Sequence, residues 1–203
     1  NTGLVTVNGA IDRETASSYS ITVRATSTDT TTTTQVFNIA IGDVDEFDVG
    51  TVNDSNAAPN TVAEDATVGT VVGITAAAND ADATNNTITY TLDDDAGGLF
   101  TIHATTGIVT VNGTLDYETA TSRNITARAT SSDGSFNTQD FTIDVTDVNE
   151  SGVSAISDSD ADGDFVLENA SIGTVVGVTA FATDADGTDT VSYSLDIDAD
   201  GRF

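Results

Sequence analysis

The 203-residue chain carries 33 acidic residues against five basic ones, which gives a formal net charge of −28 at pH 7. This charge excludes nucleic acid and anionic membrane surfaces as partners, because both would repel it, and it favours bound cations or a high-salt setting. The chain has no Cys, so disulfides, thiolate metal sites and cysteine nucleophiles are excluded. No apolar run approaches the ~18 residues that a membrane-spanning helix needs, so membrane insertion is not expected.

The sequence repeats itself at an offset of 104 residues. Residues 1–14 read NTGLVTVNGAIDRE and residues 105–118 read TTGIVTVNGTLDYE, while GTVVG occurs at 69–73 and again at 173–177. Fixed-period similarity is the signature of a tandem array. We therefore predict the C-terminal half of one unit over 1–46, a complete unit over 47–150 and the N-terminal half of a further unit over 151–203.

Each unit is predicted to consist of β-strands. Ile21, Val23 and Ala25 alternate with polar residues, and their counterparts in 123–130 do the same. Alternation of this kind indicates half-buried antiparallel strands, and no stretch has the 3.6-residue period of a helix. Seven strands are predicted in the complete unit, near residues 61–64, 70–76, 87–92, 99–103, 108–112, 123–130 and 137–146. The fold class is therefore all-β, with tandem immunoglobulin-like sandwiches of seven strands. The run of Thr at 30–34 is predicted to be a hairpin connection.

Acidic residues recur at the ends of these predicted strands. In the complete unit they fall at 64–65, 80–82, 116–118, 133 and 147–150. Carboxylates gathered in this way repel one another unless a cation joins them, and calcium accepts six to eight oxygen ligands in flexible geometry. Zinc would favour His or Cys, and the chain has one His.

The order of the acidic motifs resembles that of cadherin repeats, in particular the cadherin-like repeats of large bacterial extracellular adhesins and biofilm proteins. The glutamate motif reads AED at 63–65 and LEN at 167–169, and the DxD motif reads DAD at 80–82 and 184–186. The LDRE motif reads IDRE at 11–14 and LDYE at 115–118. The linker motif reads DVDE at 43–46 and DVNE at 147–150, with Glu replacing the second Asp of the family pattern.

The resemblance implies two clusters of Ca²⁺ ligands, one at each junction between units. The first would consist of Asp12, Glu14, Asp45, Glu46, Asp80, Asp82 and Asp133. The second would consist of Glu64, Asp116, Glu118, Asn149, Glu150, Asp184 and Asp186. Asp43 and Asp147 are expected to hold the linker backbone rather than the metal, and Asp29 to serve a junction upstream. The alternative, solvated acids without a metal, stays open.

Two segments, 158–163 and 196–201, spell DxDxDG, the opening of an EF-hand-type loop. The glutamate expected at the twelfth position is absent after Asp158, where Asn169 stands, and no flanking helices are predicted. An ordinary acidic turn and an additional calcium site are both open interpretations.

The chain is not expected to be an enzyme. His103 is the only His, and its place before a Thr-Thr-Gly turn predicts a solvent-facing strand residue rather than a member of a catalytic triad. Carboxylate pairs can act as glycosidase acid and base. Here they recur at every junction, which favours a structural metal.

Three functions fit these features. The first is a calcium-rigidified segment of an extracellular or cell-surface adhesin, whose partners are the neighbouring repeats of the same chain. The second is a carbohydrate-binding or homophilic module, although the chain has no Trp and only four Tyr for an aromatic platform. The third is a spacer in a secreted multidomain enzyme.

The two half units nearly sum to one unit, because 151–203 supplies three strands and 1–46 supplies the remaining three. Each half alone leaves an apolar face and a strand edge uncovered. One expectation is head-to-tail self-association into a filament. The other is that the sequence simply continues covalently.

Overall fold

The computed structural model describes residues 2–186 and 188–203, and every secondary-structure element within them is a β-strand. No helix in this described part is long and apolar enough to cross a membrane. The all-β prediction is confirmed. The strands are β1 (Ser18–Thr26), β2 (Thr32–Ala40), β3 (Asn53–Asp54), β4 (Thr61–Ala63), β5 (Val71–Ala77), β6 (Thr89–Asp94), β7 (Phe100–Ile102), β8 (Ile108–Val111), β9 (Ser122–Thr130), β10 (Phe136–Thr146), β11 (Ser157–Asp158) and β12 (Ala180–Phe181).

Residues 47–150 contain two four-stranded sheets that pack face to face, as in an immunoglobulin-like sandwich. One sheet has the order β4-β10-β9-β6 and the other has the order β3-β5-β8-β7. The pair β4–β10 is parallel, and the other pairs are antiparallel. All seven predicted strands are present within a few residues of their expected bounds. The structure adds β3, which is too short for periodicity to reveal.

The core of the sandwich is built from the inward-facing residues of both sheets. Val109 and Val111 of β8 are fully buried, as are Ile125 of β9 and Ile143 of β10, and they pack with Phe100 in one cluster. Each such side chain contributes roughly 1.5–3 kcal/mol by leaving water. A second cluster around Tyr90 closes one end of the core, where the Tyr90 hydroxyl accepts a hydrogen bond from Ala78 N at 3.1 Å.

Strands β1 and β2 form a hairpin that repeats β9 and β10 in the same register. Ser18 pairs with Ala40, and its counterpart Ser122 pairs with Asp144. The prediction that 30–34 is only a connection is wrong, because β2 begins at Thr32, which pairs with Thr26. The turn itself lies earlier, at 27–31. Branching at Cβ suits Thr to a strand as long as a partner strand is available.

His103 lies one residue beyond β7, in the turn that leads to β8, and it is exposed. Its Nδ1 accepts hydrogen bonds from Thr105 N at 3.3 Å and Thr106 N at 3.2 Å. The prediction of a solvent-facing residue is confirmed, and its placement in a strand is wrong. The imidazole ring therefore stabilises the turn through these hydrogen bonds.

Gly73 lies within β5 at φ +85°, at an irregularity in the pairing of β5 with β8. A Cβ at this position would lie 2.1 Å from Pro59 O. The counterpart Gly177 has φ +77°, and a Cβ there would lie 2.5 Å from Gly163 O. Both the conformation and the close backbone approach require glycine at this point of the unit.

We expect Gly73→Ala to destabilise the sandwich by about 2 kcal/mol or more, because the backbone must move to admit the methyl group. Urea denaturation measures this loss. Gly9→Ala is the matched control, since a Cβ at Gly9 has no atom within 4 Å and its φ is not positive. Equal midpoints for the two variants would contradict this account.

Candidate metal centres at the two junctions

The first junction connects the β1–β2 hairpin to the sandwich through direct hydrogen bonds. The Asp82 carboxylate accepts from Glu46 N at 3.3 Å and from Phe47 N at 3.2 Å. Glu14 Oε1 accepts from Ala83 N at 3.0 Å. Linker and turn residues of one segment are thus held against the DxD loop of the next.

Two groups of carboxylates meet at this junction, and within each group the oxygen atoms lie within 4.8 Å of one another. Asp80 lies beside them, buried, with its carboxylate accepting from Asp82 N at 3.1 Å and from the Ser131 hydroxyl. The Asp12 carboxylate accepts from Thr15 N at 3.1 Å and so fixes the adjoining turn. The first group consists of Glu14, Asp43 and Glu46, and the second of Asp45, Asp82 and Asp133.

The second junction is organised around Glu64, which is 5% exposed. Its carboxylate accepts from Tyr117 N at 2.6 Å and from Val148 N at 2.8 Å, so it ties the LDYE turn to the linker. Carboxylate oxygens of Glu118 and Glu150 lie within 4.8 Å of it and of each other.

The DxD loop of residues 151–203 completes the second junction. Asp186 accepts from Glu150 N at 3.4 Å and from Ser151 N at 3.1 Å. Asp184, Asp186 and Asp189 form a further group of oxygens within 4.8 Å. Asn149 Nδ2 donates to Asp189 Oδ2 at 2.7 Å, so the linker amide reaches the same group.

The pKa values reflect this crowding. Burial, followed by the charge of Glu64, raises the pKa of Glu150 to about 7. A hydrogen bond with Asp82, followed by burial and the charge of Asp133, raises the pKa of Asp45 to about 6. In contrast, the backbone N–H groups of the LDYE turn and the linker lower the pKa of Glu64. The second junction therefore combines Glu64, whose ionised form is stabilised by backbone N–H groups, with Glu150, which resists ionisation. At the first junction Asp45 resists ionisation in the same way.

Among residues 2–186 and 188–203, no cationic side chain forms an ion pair with a junction carboxylate. In the part of the chain that the structure describes, the ion pairs are Arg128–Asp93 and Arg202–Asp200, and neither belongs to a junction group. Arg128 Nε lies 2.8 Å from Asp93 Oδ1, and its guanidinium stacks 4.0 Å above the Phe136 ring on the outer face of the sandwich.

Asp43 and Asp147 occupy equivalent positions in the two linkers and were expected to hold the linker backbone. Their contacts differ from that expectation: the hydroxyl groups of Thr84 and Thr188 donate to them across the junctions. One oxygen of each, Oδ1, is buried without a hydrogen-bond partner. An unpartnered buried carboxylate oxygen is costly unless a cation contacts it.

The converging donors at both junctions are carboxylate oxygens, and two of the four groups, Asp45 with Asp82 and Asp133 and Glu64 with Glu118 and Glu150, each draw on three chain segments. Such a set fits calcium, which prefers many oxygen ligands, and does not fit zinc or copper. Asp43 and Asp189 belong to these groups although sequence reasoning did not include them. Asp189 lies three residues after the second DxD motif, and this spacing is the feature of the sequence that could have indicated it as a ligand.

The acids of the DxDxDG segments accept hydrogen bonds from backbone N–H groups of their own turns and, at Asp158, also from a residue near the following strand. Asp158 Oδ1 accepts from Asp160 N at 2.9 Å and Thr179 N at 2.8 Å, and Asp198 Oδ1 accepts from Gly201 N at 3.0 Å. Within residues 2–186 and 188–203, neither segment contributes to a group of three converging acids.

Parts of this chain are similar in sequence to known proteins. Residues 59–146 match the family model described as Cadherin domain. The protocadherin-like wing polarity protein stan of Drosophila melanogaster is 34% identical over 181 residues, which cover 87% of this chain and 5% of that protein. Protocadherin Fat 4 of Homo sapiens is 34% identical over 130 residues, covering 64% of this chain and 3% of that protein. The chain thus spans only a small part of the length of these relatives.

A solved structure shows the same architecture. The EC22–24 segment of mouse cadherin-23 superposes with a TM-score of 0.66 at 29% identity, covering 88% of this chain and 57% of that one. These three are animal proteins, so the expected likeness to bacterial adhesins in particular has no support from them.

We expect the calcium-free protein to lose stability as the pH rises from 5 to 8. Asp45 and Glu150 have folded pKa values of about 6 and about 7, above the ordinary values of 3.8 and 4.5. Because both pKa values are higher in the folded state, binding of protons to these groups stabilises that state. This stabilisation is complete below the ordinary pKa values and is lost as the pH rises through the folded pKa values. Thermal melts after calcium removal measure it. The double variant Asp45→Asn with Glu150→Gln should flatten the profile, and an unchanged slope in that variant would contradict the assignment.

Proposed function

We propose that this chain, whose residues 59–146 match the Cadherin domain family model, is a calcium-binding repeat segment of an extracellular surface adhesin. In this proposal calcium stiffens the junctions between repeats, and the chain carries out no catalysis. The proposed units follow the 104-residue period of the sequence: the C-terminal half of a repeat over 1–46, a complete repeat over 47–150 and the N-terminal half of the next over 151–203. Placement in a bacterial adhesin rests on the sequence motifs alone.

The observation that supports calcium binding is the convergence of carboxylates from separate chain segments at each junction. Glu64 comes from the entry to one unit, Glu118 from its LDYE turn and Glu150 from the linker that follows. Buried oxygens of Asp43 and Asp147 face these junctions without a hydrogen-bond partner. Like charges this close oppose the observed packing unless a cation lies among them.

Stiffening follows from where these residues lie. At the second junction Glu64 and Glu118 belong to the complete unit, Glu150 to the linker, and Asp186 to the following segment. Cations held by these two neighbouring groups, one containing Glu64, Glu118 and Glu150 and the other containing Asp186, would fix the direction in which one unit leaves the other. Without these cations, repulsion favours an extended linker with separated carboxylates. Rigidity of the rod therefore depends on the calcium concentration outside the cell.

The first test is thermal melting in millimolar calcium and in EDTA. Extracellular modules of this type bind calcium with Kd ~10⁻⁴–10⁻³ M. At ten times Kd each site adds about 1.4 kcal/mol to the free energy of unfolding. For a domain of about 100 residues this corresponds to a rise in Tm of roughly 5–10 °C per site. Superimposable melting curves in the two buffers would rule the proposal out, and magnesium at the same concentration controls for ionic strength.

The second test separates junction carboxylates from surface ones. Glu150→Ala removes a member of the second junction, so we expect at least a tenfold loss in calcium affinity and a more flexible junction by small-angle scattering. Asp144→Ala removes an exposed carboxylate from β10, outside the junction groups, and should change neither. Equal losses for the two variants in calorimetry would show that these groups do not hold the ion.

A further inference from the structure

Asn149 is the one amide among the ligands expected at the second junction, where every other expected ligand is a carboxylate. Its nitrogen Nδ2 donates a hydrogen bond to Asp189 Oδ2 at 2.7 Å. A side-chain amide has one oxygen that can accept and one nitrogen that can only donate, so an amide turned the other way would point N–H groups at a cation. The bond to Asp189 therefore fixes Oδ1 as the free end of the Asn149 side chain.

Asp189 lies where this bond can act on a cation site. One of its oxygens lies within 4.8 Å of oxygens of Asp184 and Asp186, in the DxD loop. Asp186 is 5% exposed and accepts from Ser151 N at 3.1 Å, two residues after Asn149. The linker backbone is thus held at the same loop, and the Asn149 amide lies beside these acids.

At the first junction the acid and the amide occupy the opposite positions. Asp45 is the counterpart of Asn149 at the offset of 104 residues, and the loop that matches Asp189 carries Asn at both 85 and 86. A carboxylate presents an oxygen whichever way it turns, whereas an amide presents one in a single orientation. Asp in the linker therefore needs no partner to orient it, and Asn in the linker does.

We propose that Asp189 is a positioning residue for calcium at the second junction, which binds Asn149 Nδ2 and so presents Asn149 Oδ1 to the ion. This inference rests on the proposed function, because it assigns a role at the same site. Loss of a residue that orients a metal ligand lowers metal affinity about 10–100-fold. The first junction has a carboxylate at the linker position, so a substitution at Asp189 should affect the second junction alone.

A calcium titration of the 203-residue chain by site-resolved NMR reads the two junctions separately. The backbone N–H groups of Phe47 and Ser151 are matched reporters. The first donates to Asp82 and the second to Asp186, which are equivalent carboxylates of the two DxD loops. The calcium concentration at the midpoint of each signal change measures the affinity of that junction.

Asp189→Asn should raise the Ser151 midpoint about tenfold or more and leave the Phe47 midpoint unchanged. Asp162→Asn is the matched control for the loss of one charge, because Asp162 is an exposed acid of the same segment outside the junction groups. It should move neither midpoint.

Two further variants separate positioning from direct contact with the ion. Adding Asn149→Asp to Asp189→Asn gives the second junction the linker acid and the loop amide of the first, so the Ser151 midpoint should recover. Asn149→Ala removes the amide that Asp189 orients. In that background Asp189→Asn should cost no more affinity than Asp162→Asn does, because two residues that act as a unit are not additive.

Two results would overturn the inference. An unchanged Ser151 midpoint in Asp189→Asn would show that the amide needs no orienting acid. An equal loss with and without the Asn149 side chain would show that Asp189 acts independently of it. In either case, calcium responses at Phe47 and Ser151 of the unmodified chain would still support the proposed function. A lack of response at both amides would contradict the proposed function and this inference together.

Discussion

Repulsion between carboxylates is the constraint that governs how the units meet at their junctions. The chain gathers its acids where segments meet and gives those groups no ion-paired Arg among the described residues. Backbone N–H groups solvate some of these acids, as at Glu64, while others, such as Glu150, are pushed toward their neutral form. The geometry of the junction therefore suits a cation, and in the proposed function the stiffness of the junction varies with the concentration of that cation.

The apolar core and the charged ends have separate roles. Val72, Val109, Ile125 and Ile143 leave water almost completely, and they hold the two sheets together independently of any metal. The junction groups lie outside this core, in turns and linkers. In the proposed function, loss of calcium should therefore loosen the junctions between units before it unfolds the sandwich.

The segments that flank the sandwich show the difference between local strand pairing and packing of one sheet on another. The β1–β2 hairpin keeps the register of β9 and β10 because cross-strand pairing is local. Apolar side chains of its second strand, such as Phe37 and Ile39, are 50% and 41% exposed, whereas Ile21 and Val23 are half-buried. Local pairing thus forms this hairpin without the sheet-to-sheet packing that buries Ile125 and Ile143.

The sequence by itself determined the class of fold, the seven principal strands and most of the junction acids, because alternation and a 104-residue repeat are both visible in one dimension. The tertiary structure decided which side chains lie close together and which residues pair. It placed Asp43 beside Glu14 and Glu46, and it brought Asp189 to the DxD loop, although neither spacing marks a ligand. It also paired Thr32 with Thr26, which made a strand of residues that resemble a low-complexity turn. For Asp43 the deciding factor was a partner distant in sequence, Glu14, whereas for Asp189 and Thr32 it was the course of a short loop and of a hairpin; periodicity reveals neither.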